Sequence, residues 1–200
     1  MGWAMQQLMQ QRSFAPMKRS SDFRSVAKSI IAAKSFRRGS IRLASGKISE
    51  YYLDMKPTMF DPEGALALSH LVIERLKDLK VNRVGGLEMG AVPLIANVAM
   101  LSAQLGHPLP GFFVRKAVKD HGTKKLVEGS DDLSGKRVAI LDDVTTSGAS
   151  AMIAVNAAKE AGAEVVLVLS VVDRKEGAPE FYEKENIKFD SLFTKDDFLK

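Results

Sequence analysis

The amino-acid sequence predicts an α/β fold: a mostly parallel central sheet flanked by helices, with a small cap contributed by both ends of the chain. Two apolar runs, residues 138–141 (Val-Ala-Ile-Leu) and 165–172 (broken only by Ser170), read as strands buried on both faces, the pattern of parallel sheets. Segments with helical spacing alternate with such strands from Asp61 onward. No stretch repeats, which excludes solenoids and propellers.

Residues 1–21 contain Arg12, Lys18 and Arg19, no acid, and no apolar period that would pack; a disordered extension is expected, with Met17 an alternative start. A single domain is expected over 22–200, with its core at about 61–173. The flanks, 22–60 and 175–200, hold Tyr51, Tyr52 and Phe60 on one side and Phe181, Tyr182, Phe189, Phe193 and Phe198 on the other, and are expected to pack together as the cap. Asp61-Pro62 supplies an N-cap and a proline at the first helical position, and Leu68, Leu71, Val72 and Leu76 form the apolar stripe of a helix running to about residue 79. Next come a short strand at 83–87, a helix at 91–105 ended by Gly106, and a strand at 111–114. After the strand at 138–141, a helix at 149–161 stops at Gly162 and leads into the strand at 165–172. Ligands of such sheets collect at the carboxyl ends of the strands. Glu88-Met89-Gly90, Arg115-Lys116, Asp142-Asp143 and Asp173-Arg174 all fall there, so they are expected to meet at one crevice.

With 200 residues, 46% of them hydrophobic and 26% charged, the chain suits one globular domain with a sizeable core. The absence of Cys removes disulfides, thiolate metal ligands and thiol nucleophiles, and fits a cytoplasmic location. The longest apolar stretches, 91–101 and 165–172, are too short to span a bilayer, and no membrane partner is expected. A net charge of +5 favours polyanionic partners. No aromatic residues interleave with the basic clusters, so no platform for nucleic acid is evident.

Chemistry concentrates in Asp142-Asp143-Val144-Thr145-Thr146-Ser147-Gly148-Ala149-Ser150, where two carboxylates at a strand end lead through small hydroxylated residues into a helix. Unpaired N–H groups and the helix dipole at such a turn favour a phosphate. The carboxylates, which only accept hydrogen bonds, suit the two donors of a ribose diol. Neither a Gly-x-x-x-x-Gly-Lys-Ser/Thr nor a strand followed by Gly-x-Gly-x-x-Gly occurs, which excludes the usual triphosphate and dinucleotide motifs. From about Arg115 some twenty residues lack apolar periodicity, and Arg115, Lys116, Lys119, Lys124 and Lys125 outnumber Asp120 and Glu128. Such a stretch is either a solvated loop or a cationic lid over a departing anion. His121 lies on it and is the best of three histidines for a chemical role; His70 and His107 read as structural.

The 142–150 segment resembles the phosphoribosyl-pyrophosphate motif of the type I phosphoribosyltransferases. Arg115-Lys116-x-x-Lys119-Asp120-His121-Gly122, Ser45-Gly46 with Tyr51-Tyr52, and Asp173-Arg174 are similar to segments of the orotate phosphoribosyltransferase family, over about residues 22–200. The resemblance implies the type I fold and a transfer of phosphoribosyl from phosphoribosyl pyrophosphate (PRPP) to orotate, with inversion and no covalent intermediate. It further implies Asp142 to Ser150, Arg115, Lys116, Lys119 and His121 as PRPP contacts, and Tyr51, Tyr52, Thr146 and Arg174 as orotate contacts. Lys119, His121, Asp142 and Asp143 would be the catalytic groups. Mg²⁺ would be held mainly by PRPP without a dedicated protein cage, and a homodimer would share the lid between subunits. The chain departs from many relatives by Ala44 and Met89 where they carry Lys; Lys47 and Lys56 are possible substitutes, neither assigned a role. A purine phosphoribosyltransferase and a PRPP-sensing nucleic-acid-binding regulator are the alternatives.

Overall fold

The computed structural model describes residues 20–42, 48–117, 126–129 and 132–199. Helix α1 (Ser20–Ile30) starts two residues before the expected domain boundary and continues through a wide turn, Ile31–Ser35, into an antiparallel hairpin of β1 (Phe36–Arg42) and β2 (Ile48–Leu53). The single-turn α2 (Lys56–Met59) precedes α3 (Pro62–Leu76), where Asp61 Oδ1 accepts from the Gly64 N–H at 2.8 Å and Pro62 sits at the first helical position. There follow β3 (Arg83–Gly85), α4 (Val92–Gln104), β4 (Phe113–Val114), β5 (Val127–Glu128) and β6 (Arg137–Thr145). The described chain ends with α5 (Ala149–Glu160), β7 (Glu164–Asp173), α6 (Ala178–Lys184), β8 (Phe189–Thr194) and α7 (Asp196–Leu199).

The central sheet runs β3-β6-β7-β8, every pair parallel. β4 lies along its free edge: the Phe112 N–H donates to Val84 O at 2.9 Å and the Val114 N–H to Gly86 O at 2.8 Å, while β5 pairs antiparallel with β4. Strand alternation sorts the core into two layers. Ala139, Leu141, Leu167 and Leu169 pack toward α1, α3 and α4, whereas Val138, Ile140 and Val168 pack toward α5 and α6. Each fully buried Leu or Val stabilises the fold by roughly 1.5–3 kcal/mol.

Several boundaries differ from the sequence reading, among them three around β3 and β6. The helix expected to reach residue 79 ends at Leu76, where a turn takes over and Lys80 adopts positive φ (51°) ahead of β3. β3 ends at Gly85, two residues short of the expected strand. β6 continues past Leu141 through both aspartates to Thr145, because β7 runs beside it, with Asp142 opposite Ser170 and Thr145 opposite Asp173. Apolar patterning stops at Leu141, but backbone pairing continues.

The aromatic flanks divide between two tasks. Phe36 packs against Tyr51 (5.7 Å between centroids) and Phe198 (5.8 Å), and the Arg24 guanidinium lies 4.5 Å from the Phe193 ring, joining the two ends of the described chain. Residues 189–194, expected in the cap, form the edge strand of the sheet instead, and Tyr182 stacks on Phe189 at 5.0 Å in the core layer under α5. His70 stacks on Phe23 at 3.9 Å, and burial holds its imidazole below the usual range, as suits a structural residue.

Candidate active site

The turn between β6 and α5 is built around Gly148. Its φ is +91°, and a Cβ there would lie 2.8 Å from Phe181 Cδ1 and 2.9 Å from Tyr182 Cε2, so only glycine fits. The fully buried Tyr182 hydroxyl donates to Gly148 O at 2.9 Å, fixing the start of α5. Thr146, Ser147, Ala149 and Ser150 are exposed around this helix end, while Thr145 is buried and donates from Oγ1 to Asp142 Oδ2 at 2.7 Å. The unpaired N–H groups of a first helical turn favour an anion at such a position.

Because β6 does not stop at Leu141, its two carboxylates fall on opposite faces of the sheet. Asp142 follows Val138 and Ile140 toward α5 and α6; Asp143 follows Ala139 and Leu141 toward α4. Burial, with the charge of Asp143 behind it, pushes the Asp142 carboxyl up to about 6 against the pull of the Thr145 hydrogen bond. Burial also raises Asp143, and the Lys56 charge offsets part of that rise. Gly90 presses against Asp143: a Cβ at 90 would lie 2.5 Å from Asp143 Oδ1.

Arg174 joins this turn to the hairpin. Its N–H donates to Thr145 O at 2.9 Å, its Nε lies 3.0 Å from the Tyr51 hydroxyl oxygen and 3.1 Å from Glu176 Oε1, and its guanidinium sits 4.8 Å from the Tyr51 ring centroid. The side chain is only 13% exposed, which sets it apart from a surface ion pair. Asp173 instead accepts from the Lys175 N–H at 2.7 Å. Tyr51 is buried and Tyr52, on the other face of β2, is open to solvent.

At the neighbouring strand ends the Lys116 N–H donates to Glu88 Oε1 at 2.9 Å, tying the loop after β3 to the loop after β4, and the Arg115 N–H donates to Leu126 O at 2.9 Å. The structure thus joins Asp142, Thr145, Arg174 and Tyr51 in one network, Gly148 with Tyr182 in a second, and Gly90 with Asp143 in a third. Lys119 and His121 lie outside the described residues, as do Ala44 and Lys47. Tyr182 escaped sequence reading because nothing in its spacing separates a hydroxyl that props a turn from a core aromatic. Among the described residues no group of three or more His, Asp or Glu side chains is placed to hold a metal ion.

No protein-family model matches the chain. The orotate phosphoribosyltransferase of Rhodopseudomonas palustris is 53% identical over 173 residues, covering 85% of this chain and 92% of that protein. That of Synechocystis sp. is 39% identical over 165 residues, covering 82% and 83%. The crystal structure of Mycobacterium tuberculosis orotate phosphoribosyltransferase in complex with 5-phospho-α-D-ribosyl 1-diphosphate superposes with a TM-score of 0.74 at 32% identity, covering 88% of this chain and 98% of that one. Adenine phosphoribosyltransferase from Saccharomyces cerevisiae, at 22% identity and a TM-score of 0.65, shares the fold. Half the residues retained across nearly a whole relative, on a backbone of the same topology, place this chain in the orotate phosphoribosyltransferase family.

Proposed function

We propose that this chain transfers the phosphoribosyl group of PRPP to orotate, giving orotidine 5′-monophosphate and diphosphate, a step of de novo pyrimidine (UMP) synthesis. The observation that carries the reading is the placing of a glycine-capped anion turn between two raised carboxylates and the Arg174–Tyr51 pair, in a member of this family. The bond from C1 to the diphosphate oxygen breaks as the base nitrogen, giving up its proton, bonds to C1, and the diphosphate leaves with the electron pair and can take up that proton. Positioning and charge stabilisation are then the protein's whole task.

In this reading Val144 to Ser150 seat the 5-phosphate, and Asp142 and Asp143 accept from the ribose hydroxyls. Arg174 offers its planar fork to the carboxylate or imide edge of orotate, with Tyr51 holding the guanidinium and Tyr52 and Thr146 completing the base site. Arg115, Lys116, Lys119 and His121 close over the diphosphate. The donor set fits a Mg²⁺ ion shared with the substrate: Asp143 has acceptor oxygens beside the crevice, and the ion would supply countercharge to the diphosphate. A homodimer is supported by apolar surface: Met89 and Met100 are exposed, and Val92, Ile95, Ala96, Ala99, Phe112 and Phe113 line an open groove of about 250 Å³. No described helix is long and apolar enough to cross a membrane; in this reading the chain is a cytoplasmic enzyme acting on small molecules.

The test is direct. Purified protein with Mg²⁺ and PRPP should consume orotate but not adenine, guanine, hypoxanthine or uracil. Purine turnover with orotate inert would move the assignment to the purine branch, and nucleic-acid binding without turnover would favour a regulator.

A further inference from the structure

We propose that Lys56 is a substrate-binding residue that holds the diphosphate of PRPP from the α2 side of the crevice. The inference rests on the PRPP-transfer reading above and adds a contact that neither the phosphate turn nor the lid provides.

The argument begins with charge. Asp54 and Asp143 face each other across Lys56, Glu88 lies two residues before the glycine that abuts Asp143, and the substrate brings a phosphate and a diphosphate to them. Like charges at close range repel strongly where water is partly excluded, so the site requires a facing cation. The loop that abuts Asp143 offers none: Glu88 is an acid, Met89 is apolar and 63% exposed, and Gly90 has no side chain.

Lys56 is placed to supply the charge. Its backbone is fixed from several sides. The Lys56 N–H donates to Asp54 Oδ1 at 3.0 Å, Asn97 Nδ2 of α4 donates to Met59 O at 3.0 Å, Ser35 and Thr58 share a buried hydrogen bond of 2.7 Å, and Met55 and Met59 are buried anchors. Through Asn97, α2 is pinned to the helix that begins two residues after Gly90, and this brings the root of Lys56 beside the Asp143 edge. The head group, by contrast, is open to solvent. The Lys56 side chain is 54% exposed and its Nζ lies 2.7 Å from Asp54 Oδ1. An exposed pair of this kind stabilises a fold by little. Three N–H donors let the ammonium keep Asp54 while it donates to an incoming diphosphate oxygen. Asp54 first, then Asp143 and Tyr52, hold the ammonium above the usual lysine range, so it stays charged at any pH where the enzyme works.

The experiment compares three ligands, PRPP, inorganic diphosphate and ribose 5-phosphate, by calorimetry with Mg²⁺ present, on the wild-type protein, Lys56→Met and Lys56→Arg. Loss of one charged hydrogen bond predicts that Lys56→Met binds PRPP and diphosphate roughly 10- to 100-fold more weakly. Ribose 5-phosphate, which lacks the diphosphate, should bind as in the wild type, and Lys56→Arg should keep most of the PRPP affinity. Unchanged PRPP binding by Lys56→Met would overturn the proposal. So would an equal loss for ribose 5-phosphate, which would make Lys56 a prop for Asp143 alone. A wild-type protein that binds PRPP but leaves orotate untouched would instead count against the proposed reaction.

Discussion

Replacing Asp142 by Asn should make the protein more stable and a worse enzyme, and the gain should depend on pH. A carboxyl pushed from 3.8 up to about 6 binds its proton more tightly folded than unfolded, so ionising it opposes folding. Below about pH 4 both states are protonated and no penalty exists; the penalty grows between pH 4 and 6 and is complete above that. At about 1.36 kcal/mol per pH unit the full value is roughly 3 kcal/mol. The amide keeps an acceptor for Thr145 Oγ1 but adds a donor that the site does not need, which costs about 1 kcal/mol. The net expectation is a gain of about 2 kcal/mol at pH 8 and almost none at pH 4.5, read from urea unfolding at one fixed protein concentration. PRPP affinity should fall at the same time, because an amide accepts less strongly from a ribose hydroxyl. A gain of equal size at both pH values, or a loss at pH 8, would refute the claim that burial of this carboxylate is held against the fold for the sake of the substrate.

Other substitutions probe the remaining parts. Gly148→Ala combines a positive φ with a Cβ 2.8 Å from Phe181, so it should cost roughly 2–4 kcal/mol in thermal or urea unfolding and raise the KM for PRPP. Arg174→Lys keeps the charge but loses the fork and the stacking on Tyr51; the KM for orotate should rise about tenfold or more while PRPP binding holds, as steady-state kinetics will show. Lys119→Ala should leave orotate binding nearly intact and greatly lower kcat, and equal losses in both would mean that the loop is no transition-state lid.

Local chemistry was enough to read the parallel sheet, the capped helix at Asp61-Pro62, and the meeting of the strand ends, because apolar period and capping residues act over neighbouring positions. The turn into α5 was legible for the same reason: Thr145 to Ala149 carries its hydroxyls and its glycine within five residues. Tertiary structure alone decided three things. It carried β6 through Asp142 and Asp143, since the partner strand β7 sets how far pairing runs, and so put the two carboxylates on opposite faces. It brought Tyr182 under Gly148 from 34 residues away and Arg174 onto Tyr51 from 123 away. And it set Lys56 at the edge of the crevice, because α2 is pinned to α4 by a contact across 38 residues that no pattern along the chain records.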